Sequence, residues 1–181
     1  MADKLNLDKD NLNDFLAEFQ HESPRAAVIV SGALLDALLR DLIASFLIDE
    51  PTVVDDLLGT DNKSETPLSS FSARIKTAYC LGLISKSRYQ DLMLIKKIRN
   101  KFAHKLHGYS FESKEVVDLC NSLQIPKQLP DQLKRIGMEK SCRDKYVITV
   151  VMLMQELSLI INEKRYQRRM VPAEIEQGFQ S

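Results

Sequence analysis

From Ser23 to about Ile48 the chain carries apolar side chains on every side of a helical wheel, and this pattern narrows the architectures open to it. Ser23-Pro24 supplies an N-cap followed by proline at the first helical position, where a missing N–H costs nothing. Val28, Ile29, Leu34, Leu35, Leu38, Leu39, Leu42, Ile43 and Phe46 then leave no wide polar face. A helix greasy all round belongs at the centre of a helical assembly. At about 100° per residue Arg25, Asp36 and Arg40, among its few polar residues, fall on one side. Side chains of that kind need partners from neighbouring elements.

The rest of the sequence agrees with a helical reading. Glycine and proline number six each and fall mostly between periodic segments, which favours helices joined by short connections. The pattern predicts a short helix over Lys9 to Gln20, another over Pro51 to Leu58, and one from about Ser70 to Leu81 closed by Gly82. Ser85 caps a helix from Lys86 to about Lys105, and Glu112 to Ser122 forms a further one. Gly59 to Pro67 is a polar loop, Ile125 to Pro130 an irregular link with two prolines, and Asp131 to Ile136 one turn or two. The last long helix is expected over Lys140 to Arg168. Val147 to Val151 is β-branched enough for a strand, but the apolar pattern continues to Ile161, and that length decides for helix.

The fold class is therefore all-α, a single-domain multi-helix bundle. A length of 181 residues with 44% hydrophobic side chains is sufficient for one core. Residues 1–22 read as an N-terminal segment with a short helix, 23–170 as the bundle, and 171–181 as a frayed tail.

Composition excludes several classes of function. With 25 basic and 25 acidic side chains the formal net charge is zero, so no global attraction to nucleic acid or to an anionic membrane is built in. Cys80, Cys120 and Cys142 are too widely spaced for a zinc site or disulfide framework and read as reduced thiols. Met1 to Asp14 lacks the apolar stretch of a secretory signal, which points to the cytoplasm. The apolar runs Ala26 to Val30 and Val147 to Met154 fall short of the roughly 20 residues a membrane-spanning helix needs. No residue pattern calls for a cofactor.

Chemistry concentrates on the helix that follows Ser85. Leu92, Ile95, Ile98, Phe102, Ala103 and Leu106 make an apolar stripe, and Arg99 lies inside it. A guanidinium aimed at a core requires a partner, and the expected one is Asp36 on the central helix, also set among apolar neighbours. Asn100 and His104 share a second face, with His104 about 140° round from Arg99. On a straight helix Arg99 and His104 do not converge. Convergence requires a distorted helix end or a second copy of the chain, so a composite site favours a homodimer.

The segment Arg99-Asn100-Lys101-Phe102-Ala103-His104 resembles the signature of HEPN domains, an arginine followed by a polar residue and, four to six positions on, a histidine. A longer stretch, Ser69 through Tyr109, with Ser72-Ala73-Arg74, Leu81-Gly82-Leu83-Ile84, Tyr89, Asp91-Leu92 and then Phe111, is similar to the mannitol operon repressor (MtlR) family. The MtlR resemblance implies an all-helical regulatory protein, a repressor of a sugar-alcohol operon. The HEPN resemblance implies metal-independent RNA cleavage, with Arg99 stabilising the charged phosphorane, His104 transferring protons and Asn100 orienting or binding. Against that stands the simpler reading of an Arg-Asn pair and a helix-end histidine that knit helices together.

Other candidates are weaker. His104 and His107 have metal-ligand spacing, but no third ligand accompanies them, and no metal is expected. Among the basic groups, Lys164, Arg165, Arg168 and Arg169 surround Tyr166 and form the densest candidate for phosphate contact. Ala78 and Gly82 between two helices mimic a helix-turn-helix, yet Ser85, Lys86 and Arg88 are polar where the second helix would pack, so sequence-specific DNA reading is disfavoured. The resemblance thus implies first a non-enzymatic regulator of the MtlR type, acting through protein contacts or a non-standard nucleic-acid surface. Second comes a HEPN-type ribonuclease or RNA-binding module, and third a structural adaptor.

Overall fold

The computed structural model describes Phe19 and residues 22–59, 66–104, 109–135, 141–163 and 168–172. Among the described residues there are eight helices and no strand: α1 (Pro24–Phe46), α2 (Pro51–Leu58), α3 (Phe71–Cys80), α4 (Lys86–His104), α5 (Lys114–Asn121), α6 (Ile125–Gln128), α7 (Pro130–Arg135) and α8 (Cys142–Asn162). The helix expected over Lys9 to Gln20 lies outside the described residues apart from Phe19, which is buried.

Helix α1 is the central element, with α3, α4 and α8 packed around it. Its start is fixed locally: Ser23 Oγ accepts from Ala26 N at 3.1 Å and Pro24 sits in the first turn. Leu35, Leu39, Leu42 and Ile43 are fully buried. One face nevertheless remains open, for Val30 is 49% exposed and Ala33, Ala37 and Asp41 lie along the same stripe. The all-round apolar pattern overstated the enclosure of α1, because small apolar residues at a solvent stripe look like core in a sequence.

Helix α3 is capped by Ser70, whose Oγ accepts from Ala73 N at 3.1 Å. It stops at Gly82, where φ is 73° and a side chain would strain the backbone. Leu83 N then donates to Ala78 O at 2.9 Å, a Schellman closure that buries Leu83 against the core. α4 follows at once, and Leu92, Ile95, Ile98 and Phe102 on its inner face are essentially inaccessible. α8 opens with a reciprocal capping box in which Asp144 N donates to Ser141 Oγ at 2.9 Å and Ser141 N to Asp144 Oδ2 at 3.1 Å. Its side chains Val150, Leu153, Met154 and Leu157 close the core from the far side of α1.

Two expectations are revised. Residues 125–130 are largely helical: Pro126 falls in the first turn of α6 and Pro130 opens α7, positions where proline starts helices instead of breaking them. The last helix ends at Asn162, six residues short of Arg168. Arg169 N bonds Phe46 O at 3.0 Å, its guanidinium lies 4.9 Å from the centre of the Phe46 ring, and Arg168 pairs with Asp49. Residues 168–172 are thereby tied to the end of α1 and do not continue α8. No helix among the described residues is long and apolar enough to cross a membrane.

Candidate functional site

The side chains singled out on α4 split between two environments. Arg99 is half-buried, with its stem lying across Gly32 of α1 and its Nε buried without a hydrogen-bond partner. A Cβ on Gly32 would stand 2.7 Å from Arg99 Cδ, so the close passage of α4 over α1 depends on this glycine. His104 is exposed on the last turn of α4, and Asn100 is half-buried. The helix is regular through His104, so the roughly 140° offset between Arg99 and His104 stands. Residues 105–108, including His107, lie outside the described residues.

The carboxylate expected to pair with Arg99 is taken by Arg74. Asp36 Oδ1 is 2.9 Å from Arg74 Nη1, while Arg99 forms no ion pair among the described residues. The N–H of Arg74 is not aimed squarely at that oxygen, so the contact is an ion pair more than a directed hydrogen bond. Burial pushes the Asp36 carboxyl up, opposed first by Arg74 and then by the charge of Arg99 nearby. Arg74 also donates from Nε to Leu68 O at 2.9 Å and from Nη2 to Leu58 O at 2.7 Å. Only 9% exposed, it fastens the end of α2 and the segment before α3 to α1. Sequence reasoning missed Arg74 as the partner, although its place between Phe71, Ile75 and Ala78 on the buried face of α3 was a usable signal.

Further polar links sit in the same core. Ser31 Oγ and Tyr146 Oη are 2.8 Å apart, and Ser31 Oγ also donates to Val28 O at 3.2 Å. Burial drives the Tyr146 phenol pKa far up, so it stays neutral. Asp91 is fully buried on α4 and accepts from Gln124 N at 2.6 Å and Ile125 N at 3.0 Å, capping α6 from another helix. Arg40 donates to Gly59 O at 2.9 Å and to Asp55 Oδ1 at 2.5 Å, and Arg25 reaches Ala103 O at 3.5 Å. With Arg40 also 3.5 Å from Asp41 Oδ1, all four charged residues of the central helix have partners.

The C-terminal end of α4 carries a separate surface cluster. Lys101 pairs with Glu115, Tyr109 Oη donates to Glu115 Oε2 at 2.8 Å, and Lys101 Nζ lies 5.7 Å from the centre of the Tyr109 ring. Of the four residues proposed for phosphate contact, Arg168 and Arg169 are engaged with Asp49 and Phe46 as described, and Lys164 and Arg165 lie outside the described residues. Among the described residues no three His, Cys, Asp or Glu side chains group as metal ligands would.

The arrangement between α3 and α4 bears directly on DNA recognition. Arg88 near the start of α4 donates to Glu156 Oε2 at 2.5 Å and to Gln128 Oε1 at 3.2 Å, which commits it to α8 and α6. α4 packs against α1, α3, α5 and α8. A recognition helix must offer a free face to the major groove. This one keeps an outer stripe through Lys86, Gln90 and Lys97 open to solvent, but the Arg88 of its first turn is held by Glu156 and Gln128 and is not free to reach a base or phosphate.

A family model described as Mannitol repressor (MtlR) matches residues 11–171. The mannitol operon repressor of Escherichia coli strain K12 is 31% identical over 77 residues, which are 42% of this chain and 37% of that protein, so the match spans little over a third of the relative's length. Among solved structures, the MtlR–HPr complex from Escherichia coli matches with a TM-score of 0.63 at 21% identity, covering 83% of this chain and 100% of that one. A possible transcriptional regulator, YggD from Shigella flexneri, matches with a TM-score of 0.57 at 15% identity over 87% of this chain and 99% of that one. At those identities the structural matches speak to the fold.

Proposed function

Since the chain belongs to the mannitol repressor family, we propose that it is a regulatory protein that represses a sugar-alcohol operon through contacts with another protein and without a helix-turn-helix. The observation that carries this reading is the tethering of Arg88, at the start of α4, to α8 and α6. The one helix pair spaced like a DNA-reading motif buries Leu92, Ile95, Ile98 and Phe102 of its second member and ties Arg88 to α8. Zero net charge removes the compensating route of non-specific attraction to the phosphate backbone.

A protein partner of the HPr type is the specific candidate, because the Escherichia coli neighbour with the same fold was solved in complex with HPr. Calorimetric titration of the purified chain with HPr tests this, alongside a mobility-shift assay on operator DNA. The expected result is saturable binding of HPr and no sequence-specific shift by the chain alone. A tight, specific operator complex lost in Lys86→Ala or Arg88→Ala would overturn the reading.

A further inference from the structure

Two cysteines far apart in sequence meet where α5 ends and α8 begins. Cys120 lies in the last turn of α5 and is 1% exposed, whereas Cys142 is the first residue of α8 and is half-buried. Two contacts fix this junction on either side of Cys120. The Cys142 S–H donates to Val116 O at 3.8 Å, one helical turn before Cys120, and Lys145 Nζ bonds Asn121 Oδ1, the next residue after it, at 2.8 Å. The first turn of α8 is therefore laid directly along the last turn of α5, which brings the two thiols side by side. Cys80 is remote from this arrangement, exposed at the end of α3.

We propose that Cys120 and Cys142 are a peroxide-sensitive thiol pair that closes a reversible disulfide between α5 and the start of α8. The two sulfurs have different roles. Cys142 stands at a helix N-terminus, where the backbone dipole favours negative charge, and after Cys120 the charge of Lys145 one turn on lowers its thiol further, against the opposing pull of burial and of Glu112. Cys120 stands at a helix C-terminus, where the dipole has the opposite sign. The Cys120 S–H donates to the Cys142 sulfur, which lowers the Cys142 thiol and raises that of Cys120, and burial raises Cys120 further. Cys142, the more accessible of the two, is thus the sulfur that peroxide reaches and that attacks as thiolate, and the buried Cys120 is the resolving thiol.

The chemistry balances. The Cys142 thiolate attacks one oxygen of hydrogen peroxide, forming S–O and breaking O–O. Hydroxide leaves, takes a proton to become water, and a sulfenic acid remains. The Cys120 sulfur then attacks the Cys142 sulfur, forming S–S and breaking S–O, and its proton departs with the hydroxide as a second water. Two thiols are oxidised to one disulfide while one peroxide is reduced to two waters. A thiol reductant reverses the bond.

The test uses the full chain. The protein is treated with an equimolar amount of hydrogen peroxide, alkylated under denaturing conditions, and digested without reductant for peptide mass mapping. The expected product is a peptide pair joining Cys120 to Cys142, lighter by two hydrogen atoms than the reduced pair and released by dithiothreitol, with Cys80 alkylated. In Cys120→Ala the sulfenic acid on Cys142 persists and is captured by dimedone. The wild-type map decides the matter even if that variant folds poorly. Oxidation that falls first on Cys80, a bridge that includes Cys80, or three alkylatable thiols after a peroxide dose that consumes free cysteine would each overturn the proposal.

Discussion

The stem of Arg99 crosses α1 over Gly32 so closely that a single added carbon would lie 2.7 Å from Arg99 Cδ and 3.3 Å from Nε. Two opposing terms govern Gly32→Ala. Removing a glycine from the interior of a helix gains about 1 kcal/mol, and overpacking a filled core costs about 1–3 kcal/mol. The neighbour that must yield has its Nε buried, so the clash outweighs the gain and the variant is expected to be net destabilised by about 1 kcal/mol. In an Arg99→Ala background the obstacle is gone and Gly32→Ala becomes stabilising by about the helix term. Urea unfolding of the four proteins in the cycle measures this. The same sign for Gly32→Ala in both backgrounds would refute the packing account.

Arg74 is expected to be the most sensitive charged residue in the molecule, since its fork serves Asp36, Leu58 O and Leu68 O from an almost buried position. Arg74→Ala strands all three and should lower stability by about 3–5 kcal/mol. Arg74→Lys keeps the charge but not the fork, and should lose about 1–3 kcal/mol through carbonyls left unsatisfied. Denaturant midpoints for the two variants provide the check, and equal, small losses would show that the guanidinium is incidental.

Much of the fold was legible because short-range signals agree with long-range packing. Ser23-Pro24, Ser70 and Gly82 each do in the structure what their residue type suggests, and so α1 and α3 begin and end close to where the sequence places them. The partner of Asp36 was not legible. Arg74 and Arg99 both occupy inward faces of helices packed on α1, and only the relative placement of α3 and α4 decides which one reaches the carboxylate. The prolines at 126 and 130 failed for a different reason, because proline in a first turn and proline in a loop look the same without the preceding cap. For Pro126 that cap is Asp91, 33 residues before Gln124 in the chain.

The carboxyl of Asp91 is pushed above its ordinary value of 3.8, first by burial, against the opposing pull of the Gln124 and Ile125 N–H groups. A raised folded value means that the folded protein holds the proton more tightly than the unfolded chain. The contribution of Asp91 linked to its titration is thus fully present below pH 3.8 and is lost as pH rises through the folded value. Asp91→Asn cannot titrate, so the stability of wild type relative to this variant should fall as the pH is raised from below 3.8 toward neutral. A constant offset from the altered hydrogen bonding to Gln124 and Ile125 is superimposed and does not affect that slope. Denaturant unfolding of both proteins across this range checks the sign, and a difference that grows with pH would reverse the assignment.

The isolated chain is expected not to cleave RNA through Arg99 and His104. Metal-independent attack by a ribose hydroxyl requires a proton-transferring group and a charge-stabilising group at the same phosphate. His104 is exposed on the final turn of α4, while the Arg99 stem runs inward over Gly32 with its Nε buried. A second copy of the chain would not by itself repair this, because each Arg99 would first have to leave its seat on α1. Incubation of the wild type, Arg99→Ala and His104→Ala with total RNA in EDTA should therefore give the same undegraded profile for all three. Cleavage by the wild type that falls by the roughly 10²–10⁴-fold typical of losing a general acid or base in His104→Ala, with the variant still folded, would show that Arg99 leaves Gly32 in a state competent for catalysis.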